Sequence, residues 1–246
     1  KGNSKNRRGR VKSMEFFQDV WRQIYDTFIE QDRYMYIVRG IGYTLQIAFF
    51  AVIIGIIVGV LIALGKVFSD HNKKLRWLEV ICNIYTTVIR GTPMLVQLFI
   101  MYYIIINIQG FPKIWTCVIA FGLNSAAYVA EIVRSGIQSV DKGQMEAGRS
   151  LGLTRGQTMV KIIFPQALKN ILPALGNEFI VLLKETSVAG FIGVEELTKA
   201  GDILRSQTWE AYVPLLSVAL VYLLMVMGLT ALLSKLERRL RKSDYR

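Results

Sequence analysis

Asn124, Tyr128 and Glu131 lie three or four residues apart within an apolar stretch. On a helix that spacing sets an amide, a phenol and a carboxylate along one face. Such a stripe suits binding of a small solute that carries both charges. The carboxylate would hold its ammonium, and the amide and phenol would donate to its carboxylate. Glu178 and Lys184, in a later apolar stretch, could add charged contacts. Polar and ionisable groups inside hydrocarbon are costly and face bundle interiors or water-filled cavities, so all five are candidates for a solute path. A blander placement competes for two of them. Glu131 can pair with the nearby Arg134, and the stem of Lys184 can carry its ammonium to an interface. Glu178 sits deeper in apolar sequence and is harder to place that way.

Signatures of catalysis are missing. The chain has no H-E-x-x-H, no G-x-S-x-G and no glycine-rich phosphate loop closed by Lys-Ser/Thr. His71, Cys82 and Cys117 are its only histidine and cysteines, too scattered to suggest a metal site or a disulfide framework. No catalytic residue, no metal and no cofactor on this chain is expected. Any ATP would have to be hydrolysed by a separate polypeptide.

The elements that must position the polar groups are membrane helices. The 246 residues are 52% hydrophobic, with a formal net charge of +12 and a mean hydropathy of +0.37. Long apolar runs at that composition point to an all-α integral membrane protein, in which basic residues report orientation before they report any nucleic acid. Residues 1–13 form a basic tail expected to be disordered. Residues 14–39 read as an interfacial amphipathic helix, with Phe16, Phe17, Val20, Trp21, Ile24, Tyr25 and Phe28 at helical spacing. No uninterrupted apolar core precedes a cleavage site there, so a cleaved signal peptide is not expected.

Residues 45–64 match the roughly 20 residues that cross hydrocarbon. Their stripe of Ala51, Gly55, Gly59 and Ala63 admits close approach of another helix, in the same subunit or in a second copy. Residues 77–89 and 94–108, separated by Arg90-Gly91-Thr92-Pro93, predict a long second helix bent at the proline. Residues 114–133 predict a third, 171–192 a fourth and 212–233 a fifth. Lys66, Lys73, Lys74 and Arg76 place the first loop in the cytoplasm, and Lys235, Arg238, Arg239, Arg241 and Lys242 place the C-terminus there. Five crossings with the N-terminus outside satisfy most of this bias, although the basic tail opposes it.

Between the third and fourth helices lies a polar stretch at 141–173. Residues 144–151 are good helix formers, and Gly152 follows where a left-handed cap would fall. Thr154 and Gln157 have capping-box spacing for a second short helix that Pro165 ends or bends. Capping alone predicts an ordinary surface hairpin. An ATP-independent channel or scaffold with a partner-binding hairpin also fits these residues.

Glu146, Ala147, Gly148, Gly152, Ile162, Phe164 and Pro165 resemble, gap for gap, the EAA-loop pattern of the membrane subunits of bacterial ABC importers. Gly148 stands for the second Ala and Phe164 for Leu. The segments 90–98, 124–137 and 177–187 are similar to those of polar amino acid permeases within that family, and the first of them adds Gln97 to the solute-path candidates. The resemblance covers the chain from about residue 39 onward. It implies a type I permease fold in the bacterial plasma membrane, with a permease domain at 40–240, a cytoplasmic coupling loop at 141–165 and a basic tail at 241–246. The implied partners are an ABC ATPase dimer carrying ATP and Mg, an external amino-acid-binding protein, a second or homologous permease, and lipid. Glu146, Ala147, Gly148, Gly152, Ile162 and Pro165 would then form the ATPase-coupling loop.

Overall fold

The computed structural model describes residues 18–19, 21–69 and 76–242. The tail at 1–13, the apolar positions Phe16, Phe17 and Val20, the loop residues His71, Lys73 and Lys74, and residues 243–246 lie outside the described residues. Within them every element is helical.

The N-terminal amphipathic stretch breaks at a π turn, Tyr25–Ile29, and a 3-10 turn, Glu30–Asp32. Gln31 and Asp32 take left-handed φ values of 56° and 54° there. The reversal is held by Arg33, whose Nη1 donates to the Asp26 carbonyl at 2.6 Å and to Glu30 Oε2 at 3.1 Å. A single helix, α1, then runs Tyr34–Ser69. It starts well before residue 45, since Tyr34 to Tyr43 is also largely apolar and nothing in it breaks a helix.

α2 (Arg76–Gly91) and α3 (Met94–Ile100, continued by a π turn, Met101–Ile105) replace the expected long helix. Their axes differ by 110° across Thr92-Pro93. Proline 93 takes φ −64° and ψ 138°, an extended conformation that stops the helix instead of curving it. α4 (Lys113–Gln138) is the most enclosed element, with Phe121, Ala126, Ala127 and Val129 all fully buried.

α1 and α4 form the principal helix pair. A Cβ on Gly55 would stand 2.8 Å from Ser125 Oγ, and one on Gly59 would stand 2.7 Å from Val129 Cβ. The small-residue stripe therefore faces α4 of the same chain, where its missing side chains let the two backbones approach.

Two short helices follow, α5 (Lys142–Ser150) and α6 (Arg155–Thr158), and then α7 (Phe164–Glu185). The helical path continues through Pro165, near the start of α7. The register loosens instead at a π turn just before it, Met159–Ile163. The fourth predicted helix thus begins before Ile171, and it stops at Glu185, where a 3-10 segment, Thr186–Ile192, takes over. α8 (Leu197–Thr208) and α9 (Tyr212–Lys242) complete the chain.

Among the described residues α1, α4 and α9 are each long and apolar enough to cross a membrane, and the bent α2–α3 unit is a further candidate. α7 has the length, but Lys169, Glu178, Lys184 and Glu185 lower its apolarity. One core cluster joins Ile47, Leu98, Phe121 and Leu182 of four helices. A second joins Ile37, Leu197, Leu204 and Val218, and a third joins Ala63, Val133, Ala167 and Ile171.

Candidate functional site

The polar hairpin between α4 and α7 is fixed at every turn by local chemistry. Asp141 starts α5 by accepting from the Gly143 amide at 2.7 Å. At the other end the Leu153 amide donates to the Gly148 carbonyl at 3.2 Å and the Gly152 amide to that of Arg149 at 3.0 Å. This is a complete Schellman closure with Gly152 at φ +84°. Left-handed backbone costs a residue bearing a Cβ about 1–2 kcal/mol, so glycine is the residue this turn accepts cheaply. Thr154 Oγ1 accepts from the Gln157 amide at 3.3 Å, while Gln157 Oε1 accepts from the Thr154 amide at 2.9 Å, closing the capping box on α6.

Gly148 is the contact between the two short helices. It is buried, and a Cβ there would stand 2.5 Å from Thr158 Cγ2 and 3.1 Å from Ile162 Cδ1. Gly148 and Ile162 therefore hold the hairpin together, and Gly152 turns it. Glu146 and Ala147 face solvent, as does Pro165 at the start of α7. Leu151, at the corner, is 81% exposed, a large apolar side chain with no cover.

The predicted solute-path stripe is divided among three surroundings. Asn124 is buried and its Nδ2 donates to Gln97 Oε1 at 2.9 Å. Gln97 Nε2 lies 2.7 Å from the Ile89 carbonyl, 3.1 Å from that of Thr92 and 2.8 Å from Thr92 Oγ1. Its amide thus serves carbonyls that the break at Pro93 leaves without helical donors. Tyr128 lies under the Arg90 guanidinium, 5.5 Å from its ring centroid. Glu131 accepts from Arg134 at both carboxylate oxygens, the pairing that competed with a solute role. Glu178 instead accepts from Ser125 Oγ at 2.8 Å. Lys184 is exposed in the last turn of α7. Gln97 and Asn124 are brought together; Tyr128, Glu131, Glu178 and Lys184 each sit in a different setting.

Residues 51–242 match the family described as binding-protein-dependent transport system inner membrane component. The chain belongs to that family. It is 38% identical over 211 residues to the arginine transport system permease protein ArtQ of Bacillus subtilis (strain 168), covering 85% of this chain and 94% of the relative. It is 39% identical over 208 residues to the putative glutamine transport system permease protein GlnP of Rickettsia bellii (strain RML369-C), covering 84% and 93%. A chain from the crystal structure of an amino acid ABC transporter with histidines superposes with a TM-score of 0.79 at 43% identity, covering 86% of this chain and 98% of that one.

In this inner-membrane component several polar residues matter that sequence spacing did not single out. Ser125, one position beyond Asn124, turns to a different face of α4 and meets Glu178. Glu196 is fully buried despite lying in what reads as an outer loop. Its carboxylate caps α8 by accepting from the Thr198 and Lys199 amides, both at 2.7 Å, and it also accepts from Tyr222 Oη at 3.1 Å. Burial pushes its carboxyl above the ordinary range, while those donors oppose the shift. The only local signal for this role was an acid just ahead of a helix. Its partner on α9 lies 26 residues away in sequence.

Proposed function

We propose that the chain is one of two permease subunits of an importer for polar amino acids in the bacterial plasma membrane. An ATPase dimer, which holds the ATP and Mg, drives it from the cytoplasm, and an external amino-acid-binding protein supplies the solute. The α5–α6 hairpin is the coupling element. Its capped turns make it stiff, and uncovered Leu151 offers an apolar knob to a groove. That exposure on an otherwise locally satisfied hairpin is the observation that carries the reading. The relatives named for arginine and glutamine transport support the solute class.

In this reading the chain crosses five times, through α1, the bent α2–α3 unit, α4, α7 and α9, with the N-terminus outside and the hairpin and C-terminus inside. At about 1.5 Å per residue, the 22 residues of α7 reach about 33 Å, enough to span. Its charges are tolerable where they face the bundle interior. Glu178 with Ser125, and Asn124 with Gln97, are the polar pairs closest to the centre of the helices that would line the path. Tyr128, Glu131 and Lys184 flank it. ATP binding would close the paired motors, and the hairpin would pass that movement to α4 and α7.

The test is a reconstituted complex of permease, ATPase and receptor. Gly152→Asp should abolish solute-stimulated ATP hydrolysis, because a side chain at φ +84° strains the turn by about 1–2 kcal/mol and sets a carboxylate at the corner beside Leu151. Normal stimulation in that variant would count against the hairpin as the lever.

A further inference from the structure

Glu131 opens onto a cleft of about 550 Å³ among α1, α2, α4 and the π turn after α6. Its polar lining includes two cations, Lys66 and Arg134, and two carboxylates, Glu79 and Glu131. The apolar wall comes from Val67, Ile137 and Met159. Ser125 and Glu178 are not part of it.

The hydrogen-bond inventory leaves capacity on both signs. Lys66 has three donors, and one goes to Thr86 Oγ1 at 3.1 Å. Arg134 commits three of its five N–H donors, two to Glu131 and one to Gln138 Oε1 at 3.0 Å, and has two left over. Each Glu131 oxygen accepts from Arg134 and retains a second lone-pair site. Glu79 accepts no hydrogen bond among the described residues and is only partly exposed. A cleft with equal and incompletely used charges of both signs matches a ligand with one of each.

We propose that this cleft binds a free α-amino acid as a second, inner-end site. Lys66 and Arg134 take its carboxylate, Glu79 and Glu131 its ammonium, and the wall at Met159 its side chain. This rests on the solute class inferred above, but not on the Ser125–Glu178 pair. Because Met159 belongs to the segment that links the hairpin to α7, occupancy would be felt at the coupling element.

Equilibrium binding of radiolabelled L-glutamine and L-arginine to the nucleotide-free permease–ATPase complex in nanodiscs, without the external receptor, tests it. The expected result is two saturable sites per permease for at least one of these probes. Lys66→Met and Glu79→Gln should each weaken one site by about tenfold or more, the effect of losing a charged hydrogen bond, and spare the site that Glu178→Gln weakens. Glu79→Gln keeps shape on a partly exposed side chain, so it serves if Lys66→Met fails to assemble. A single site that is lost in Glu178→Gln and unmoved in Glu79→Gln overturns the proposal, as does the lack of saturable binding in the unaltered complex. If only Glu178→Gln is silent, the central path fails and the cleft stands.

Discussion

Ser125 Oγ donates to Glu178 Oε1 at 2.8 Å, tying α4 to α7 at the point where Gly55 of α1 presses against the same serine. Three helices therefore meet at one serine–carboxylate pair. Any movement of α7 relative to α4 must break or carry that bond.

Glu178→Ala should alter the solute KM or rate of uptake in proteoliposomes. Ser125→Ala should act in the same direction but less, costing about 1 kcal/mol where it removes one donor from a half-buried carboxylate. Unchanged uptake in Glu178→Ala removes the pair from the solute path.

Gly148→Ala should destabilise the permease by about 1–3 kcal/mol, the usual cost of overpacking. The added methyl meets Thr158 Cγ2 at 2.5 Å. Thr158→Ala clears that space, so the double variant should recover part of the loss in thermal unfolding. Strictly additive losses would show that the two residues do not share a contact.

Leu151→Asp should reduce co-purification of the ATPase while leaving the Tm of the isolated permease where it was, because the side chain is 81% exposed and packs on nothing in its own chain. An equal yield of ATPase from both proteins would mean the knob is not docked.

On α8, hydrogen bonds from Arg205 and then Lys199 hold the Asp202 carboxyl below the usual carboxylate range. A lowered folded value contributes stability above the unfolded value near 3.9, and that stability is lost as pH falls through the folded value. Wild type should therefore exceed Asp202→Asn in Tm at pH 6, by an amount equivalent to no more than about 1 kcal/mol for so exposed a pair. The gap should close as the pH drops below about 4. A gap independent of pH would assign the effect to packing.

Much of the hairpin was legible from sequence because its signals act over a few residues. Gly152 in the left-handed cap and the Thr154–Gln157 box both stand where their spacing put them. Local signals read less well where a proline was involved. Pro93 ended a helix that was expected only to bend, and Pro165, expected to end or bend one, sits harmlessly in a first turn. The difference lies in the backbone around each: Pro93 itself turns extended, whereas a π turn, Met159–Ile163, loosens the register just ahead of Pro165 and lets the helix run on.

Amino-acid order by itself determined the helical membrane class, the small-residue face of α1 and the capped polar hairpin, because hydropathy, side-chain size and caps are properties of neighbouring residues. The tertiary structure decided which polar groups meet. It gave Gln97 to the carbonyls of a broken helix and Glu178 to Ser125, and it buried Glu196 beneath Tyr222. Helical spacing reports that residues share a face. The partner across that face depends on where another helix comes to rest, which packing of the whole chain sets.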